Sequence, residues 1–168
     1  MIIRDFRIGD EMALHAVFYC AVRQTASRDY SREQIEAWAP DVFDHEAWTQ
    51  RMRGIRPFVV EDAGEIVAYA DVQPDGYIDH FFVSGSRARQ GIGSMLMQRI
   101  HEAARAQAIG ELTSHVSRTA QPLFERFGFV VVEYRSPVTR GVVVPNALMK
   151  KTLLPREAPQ EGPCASSA

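Results

Sequence analysis

A chain of 168 residues is the usual size of one domain and long enough to build a core without disulfide or metal staples. Apolar residues at 46% and charged residues at 24% exclude a wholly disordered or fibrous chain. Lys+Arg of 19 against Asp+Glu of 21 gives a net charge of −2, so no global field favours nucleic acid or an anionic membrane.

In chain order, Ile2, Ile3, Phe6 and Ile8 predict a first strand closed by Gly9-Asp10. Asp10 is placed to cap a helix reaching about Gln24, with Met12, Leu14, Val17, Phe18 and Val22 as its apolar positions. Ser31-Arg32-Glu33-Gln34 reads as a capping box opening a second helix that Pro40 ends, and Asp44 caps a third with Trp48 and Met52. After Pro57 the period becomes that of strands: 58–61 and 66–70 form a hairpin, and Tyr77 to Val83 adds a third strand after the Pro74-Asp75-Gly76 turn. Residues 91–108 carry the strongest helical pattern, through Ile92, Met95, Leu96, Ile100, Ala103 and Ala104. A strand near 111–116, a helix near 119–127 and strands at 129–135 and 141–152 follow. The expected architecture is a mixed α/β (α+β) domain over residues 1–154, with helices flanking a mostly antiparallel sheet.

From Pro155 to Ala168 the composition changes to proline and small polar residues, which predicts a flexible tail. Cys164 falls on it and stands far from Cys20, so neither a disulfide framework nor a metal site is expected. No apolar run has the ~18 residues of a membrane span, and Met1-Ile2-Ile3-Arg4-Asp5 does not read as a signal peptide. A cytoplasmic protein is the expectation.

The chemistry concentrates after the third strand of the meander. Arg87, Arg89 and Gln90 lead into Gly91-Ile92-Gly93-Ser94 at the start of the long helix. Glycines there let backbone approach a ligand closely, and the first helical N–H groups are unpaired and partly positive, so the segment suits a pyrophosphate. It is neither a Walker loop nor a dinucleotide fingerprint. Alone, it equally describes a tight strand–helix turn.

About 30 residues on, Ala120-Gln121-Pro122-Leu123-Phe124-Glu125-Arg126-Phe127-Gly128-Phe129 reads as a helix stopped by glycine before an apolar strand. Together the two segments resemble the GNAT family of acetyl-coenzyme-A-dependent N-acyltransferases, whose loop is written (Q/R)-x-x-G-x-(G/A) and whose later helix ends A-x-x-(F/L)-Y-x-x-x-G-F. The likeness spans residues 1 to about 153. Ala88 stands where the loop pattern has Gln or Arg, and Phe124 where many members carry a tyrosine thought to protonate the departing thiolate.

The resemblance implies direct transfer of an acetyl group from acetyl-CoA to a primary amine of a small molecule or peptide, with no metal. It implies that Phe81, Phe82 and Val83 flank the pantetheine arm, a main-chain N–H of Phe82 or a neighbour polarising the thioester. Arg89, Gln90, Gly91, Ile92, Gly93 and Ser94 would then wrap the pyrophosphate. Ser117 would touch the arm or cap the next helix, and Phe124 would sit beside the cofactor. For the proton acceptor, His80 has an intrinsic pKa suited to neutral pH, Asp79 is a second candidate and His115 a third. Alternation places Asp79 with Tyr77 on one face and His80 with Ile78 on the other, unless a bulge breaks the phase. Tyr134 or Ser117 would donate to the thiolate if an acid is needed. Aromatic walls from Tyr19, Trp38 and Tyr77 would hold the acceptor, while Phe18 and Trp48 read equally as core. His15, His45 and His101 read as solvated. A homodimer is compatible with this reading. An acyl-CoA sensor without turnover, suggested by Phe124, is the alternative.

Overall fold

The computed structural model describes residues 1–153; the segment from Pro155 onward, Cys164 included, lies outside the described residues. Strand β1, Ile2–Asp5, ends before the expected Ile8, which is 76% exposed. Asp10 explains the early end and fails as a cap. Its carboxylate accepts from the Arg7 amide at 2.8 Å and from Arg4 at 2.7 and 3.0 Å, so it closes the turn and offers the helix nothing.

Helix α1, Glu11–Cys20, widens into a π-helical turn, Ala21–Thr25, and then a 3₁₀ turn, Ala26–Arg28. Helix α2, Arg32–Trp38, has the expected capping box: the Gln34 amide donates to Ser31 Oγ at 3.2 Å, and the Ser31 amide to Gln34 Oε1 at 2.9 Å. Helix α3, His45–Ile55, is capped by Asp44 through the Ala47 amide at 2.9 Å.

The hairpin of β2, Phe58–Asp62, and β3, Glu65–Ala70, forms as expected. The next strand does not. It is interrupted at Asp79-His80 into β4, Tyr77–Ile78, and β5, Phe81–Val83. Helix α4 covers Ile92–Ala106, β6 Glu111–Ser117, α5 Gln121–Arg126 and β7 Val130–Arg135. The expected last strand is broken at Val144-Pro145. A short ribbon of β8, Val138–Thr139, and β9, Val142–Val143, precedes β10, Asn146–Thr152.

The break at Asp79-His80 divides the sheet. β5 is the edge of a four-stranded antiparallel half ordered β1-β2-β3-β5. β4 lies parallel to β6 at the edge of the other half, ordered β4-β6-β10-β7. Beyond Ser114, which pairs with Ile78, β6 has no strand partner on that side, so the halves splay apart between β5 and His115–Ser117.

Alternation along β2 and β3 supplies two cores. Val60, Ala68 and Ala70 face α4 with Leu96, Met97 and Ile100, while Val59 and Tyr69 face α1 and α3 with Leu14, Val17 and Met52. His101, read as solvated, is buried at 6% exposure. Its Nδ1 bonds Met97 O at 2.7 Å, and its Nε2 accepts from Lys151 at 2.9 Å. No helix among the described residues is long and apolar enough to cross a membrane.

Candidate active site

Two cavities meet at the splayed strands. The larger, about 510 Å³, runs from the start of α4 between the π-helical turn and α5. The smaller, about 320 Å³, lies between α1, α2, α3 and the β8–β9 ribbon. Trp38, Phe82 and Ser117 line both, and so mark the junction.

The larger cavity joins backbone features at the start of α4 to apolar side-chain walls such as Val22, Pro122 and Leu123. Gly91 has φ +79°, a left-handed conformation that a side chain resists, and this turns the chain into α4 with its first amides facing the cavity. Gly93 serves packing. A Cβ there would lie 2.9 Å from Leu123 Cδ2, so the glycine lets α5 close against α4. Arg89, Ile92 and Ser94 line this cavity with the two glycines. Arg126 also lines it and donates to Ser94 Oγ at 3.2 Å; it lies on α5, far away in sequence, and no local pattern ties it to the glycine turn. Arg87 is held by Asp62 at 2.9 Å.

Gln90 is exposed and lines neither cavity. Phe124, expected beside the cofactor, is a core residue at 1% exposure, packed edge-on against Phe81 and Phe129. Its neighbours Pro122 and Leu123 line the cavity instead. The π-helical turn adds Ala21, Val22 and Thr25 as the opposite wall, which no apolar period announced.

Register identifies the free amides on β5. The Asp71 amide donates to His80 O and the Ser84 amide to Val67 O, so residues 80, 82 and 84 turn their backbone groups toward β3. The Phe82 N–H is therefore committed. Those of Phe81 and Val83 point to the unpaired edge, into the gap.

The smaller cavity is built from side chains that the strand break delivers. Asp71, buried at 1% exposure, accepts from the Asp79 amide at 3.1 Å and the His80 amide at 2.6 Å, while Gln73 donates to its other oxygen at 2.6 Å. This carboxylate replaces a strand partner and holds the bulge. Burial pushes the Asp71 carboxyl up to about 6, against its hydrogen bonds. With the phase broken, Asp79 and His80 face the same cavity, contrary to strict alternation.

His80 Nδ1 meets the hydroxyl of fully buried Tyr69 at 3.1 Å, and its Nε2 lies 3.5 Å from Asp79 Oδ2. Burial pulls the His80 pKa down to about 4, outweighing the opposing pull of Asp79. Arg51 donates twice to Asp79 Oδ2, once at 3.0 Å from Nε. His115 is pinned on both sides, with Tyr77 OH 3.0 Å from Nδ1 and Arg135 2.9 Å from Nε2, and its pKa is lowered by burial and then by Arg135. Phe18, Tyr30, Trp38, Trp48 and Phe82 form the walls. Tyr30 OH donates to Pro145 O at 2.6 Å and accepts from the Arg118 amide at 2.9 Å, tying the segment before α2 to the residues that flank β6 and β10.

Besides Gln90 and Phe124, three further expected residues fall outside both cavities. Tyr134 is 75% exposed on the edge strand β7, too far out to serve as an acid. Tyr19 bonds Asp41 and carries the Arg23 guanidinium over its ring. Tyr77 buttresses His115 from behind. Ser117 does not cap α5, whose N-cap is Ala120; its hydroxyl closes the preceding turn by accepting from the Ala120 amide at 3.3 Å.

Residues 26–153 match the family described as acetyltransferase (GNAT) domain. The chain is 33% identical over 148 residues to an uncharacterized N-acetyltransferase, YafP, of Escherichia coli strain K12, covering 88% of this chain and 93% of that protein. It superposes with a TM-score of 0.85 on a GCN5-related N-acetyltransferase, described also as an aminotransferase of class II, from Rhodopseudomonas palustris. That match has 27% identity and covers 90% of this chain and 95% of the other. A putative acetyltransferase of Salmonella typhimurium, solved with acetyl-CoA, shares the fold at a TM-score of 0.67 and 19% identity, over 96% and 99% of the two chains.

Proposed function

This chain belongs to the GNAT family of acetyltransferases and is an acetyl-CoA-dependent N-acetyltransferase; from that premise we propose that it transfers the acetyl group directly to a primary amine held in the smaller cavity. The observation that carries this reading is the junction at Trp38, Phe82 and Ser117, where the larger cleft opens into an aromatic chamber.

Acetyl-CoA lies in the larger cavity. Its pyrophosphate rests on the first amides of α4, released by the left-handed turn at Gly91, with Arg89 and Arg126 supplying charge. The pantetheine arm runs along the unpaired edge of β5, where an amide-rich chain finds backbone partners in place of a strand. The Phe81 or Val83 N–H polarises the thioester carbonyl as charge builds on its oxygen.

The amine occupies the smaller cavity, facing Asp79 and His80. Its nitrogen attacks the carbonyl carbon, the carbon–sulfur bond breaks, and the proton lost from nitrogen leaves at that end of the chamber. A thiolate is a good leaving group, and Ser117 is the hydroxyl at the junction that can donate to it.

The test is release of free coenzyme A thiol across a panel of primary amines, with calorimetric titration of acetyl-CoA alongside. Amine-dependent release is expected. Tight acetyl-CoA binding with no release above hydrolysis for any amine contradicts the reading.

A further inference from the structure

Resting on the proposed transferase reading, we infer that the acceptor is a flat aryl amine, which is uncharged at neutral pH, and not an alkylammonium. The charged and titratable groups around the chamber already hold partners, and the buried Asn146 Oδ1, a neutral acceptor in its lining, is left without one among the described residues.

Tyr69 is fully buried, and its hydroxyl meets His80 Nδ1. A buried phenol keeps its proton in a hydrogen bond, so the O–H donates to Nδ1 and the imidazole proton sits on Nε2. That Nε2–H points toward Asp79 Oδ2 at 3.5 Å. His80 therefore meets the chamber as a donor. His115 is committed in the same way. A guanidinium only donates, so Arg135 occupies the Nε2 lone pair and the ring proton lies on Nδ1, toward Tyr77 OH.

Asp79 is the one carboxylate lining the chamber among the described residues, and Arg51 takes its Oδ2 through two donors. Arg135 stands behind His115, with Glu133 farther along β7. A cationic acceptor would find the one lining carboxylate already paired with Arg51, a second guanidinium behind His115, and only the neutral Asn146 Oδ1 without a partner. Aromatic walls alone would suit a cation or a flat ring equally; the charges decide between them.

An aryl amine also removes the need for a strong base. Conjugation with the ring leaves its nitrogen unprotonated at pH 7, whereas an alkylamine resembles lysine and is almost wholly ammonium. The neutral nitrogen's lone pair forms the new C–N bond, the C–S electron pair departs with sulfur as coenzyme A thiolate, and one N–H proton passes to water. The products are an N-aryl acetamide and free coenzyme A. A chamber of about 320 Å³ between Trp38, Trp48 and Phe82 accommodates a substituted ring.

The test compares two isomers, 4-methylaniline and benzylamine, by thiol release at pH 7. 4-Methylaniline is expected to lead in kcat/KM by about 100-fold, with a flat profile between about pH 6 and 8. A ratio near one, or benzylamine ahead, overturns the inference and leaves the transferase reading standing. No release with these or any other amine contradicts the transferase reading and this inference with it. Arg51→Ala frees the Asp79 carboxylate and is expected to raise the benzylamine-to-4-methylaniline ratio by about 10-fold; an unchanged ratio overturns the charge argument. Nitrogen-15 NMR is expected to find His80 protonated at Nε2 at pH 7, and an Nδ1–H tautomer would overturn the account of Tyr69.

Discussion

The two cavities that meet at Phe82 are made of different material. The cofactor cleft is organised by backbone features between apolar walls: a left-handed turn, the start of a helix and one unpaired strand edge. The acceptor chamber is lined by side chains from α1, α2, α3, β6 and the β8–β9 ribbon, gathered around a strand break that a buried carboxylate holds open. A backbone site is local in sequence and needs a few residues of fixed conformation. A side-chain site is assembled by tertiary contacts, and it is where one transferase can differ from another without altering its cofactor.

That contrast is open to attack first on the cofactor side. Gly91→Val forces a β-branched residue to φ near +79°, and acetyl-CoA affinity should fall by about 100-fold, roughly 3 kcal/mol, as the turn and its amides shift. Calorimetry on the folded variant checks this, and unchanged affinity removes the loop from the account. Gly93→Val should act differently. Leu123 must yield 2.9 Å from the new Cβ, so melting temperature should fall together with affinity.

The acceptor side is attacked through its two buried titratable groups, which respond to pH in opposite senses. His80 is held near 4 when folded against about 6.5 unfolded, so the unfolded chain binds more protons between those values, and the neutral form's stability is lost as pH falls through that window. Asp71 is raised to about 6 against about 3.9 unfolded, so its contribution is present below about 4 and is lost as pH rises toward 6. Each slope is worth on the order of 3 kcal/mol, and in the wild type they oppose each other. In Asp71→Asn the melting temperature should therefore drop more steeply than wild type from about pH 6.5 to 4. In His80→Gln it should instead gain relative to wild type as pH is lowered from about 6 to 4. Parallel wild-type and variant curves would contradict the burial argument for both groups.

Smaller effects sharpen the boundary between the regions. Arg89→Ala should weaken acetyl-CoA binding by about 1–2 kcal/mol and flatten its salt dependence, as one charge-assisted contact among several. Tyr134→Phe should leave kcat within about twofold of wild type, because the side chain is solvated on an edge strand. A tenfold loss in kcat would bring Tyr134 back as a proton donor.

The same contrast explains what the sequence made legible. The capping box at Ser31, the Asp44 cap, the hairpin, α4 and the glycine turn are local patterns, and each appears where the spacing placed it. Asp79 and His80 were recognisable as polar residues in an apolar strand, but their facing was not. The bulge depends on Asp71, eight residues earlier and silent in the strand's own pattern. Tyr69, Arg51 and Arg135 reach the chamber's two imidazoles and its carboxylate from β3, α3 and β7, and no local signal marks them. Phe124 misled in the opposite direction. Its place in a motif suggested contact with the cofactor, whereas the helix turns it into the core beneath Phe81.

Amide chemical-shift mapping tests the division of labour most directly. On addition of coenzyme A, the account predicts perturbed amides at Phe81, Val83 and Ile92 to Ser94, with Asp79, His115 and Asn146 responding only when an aryl amine is added as well. Coenzyme A shifts centred on Asp79 and His115, or on the exposed face of β7 around Val132 and Tyr134, with the start of α4 silent, would contradict it.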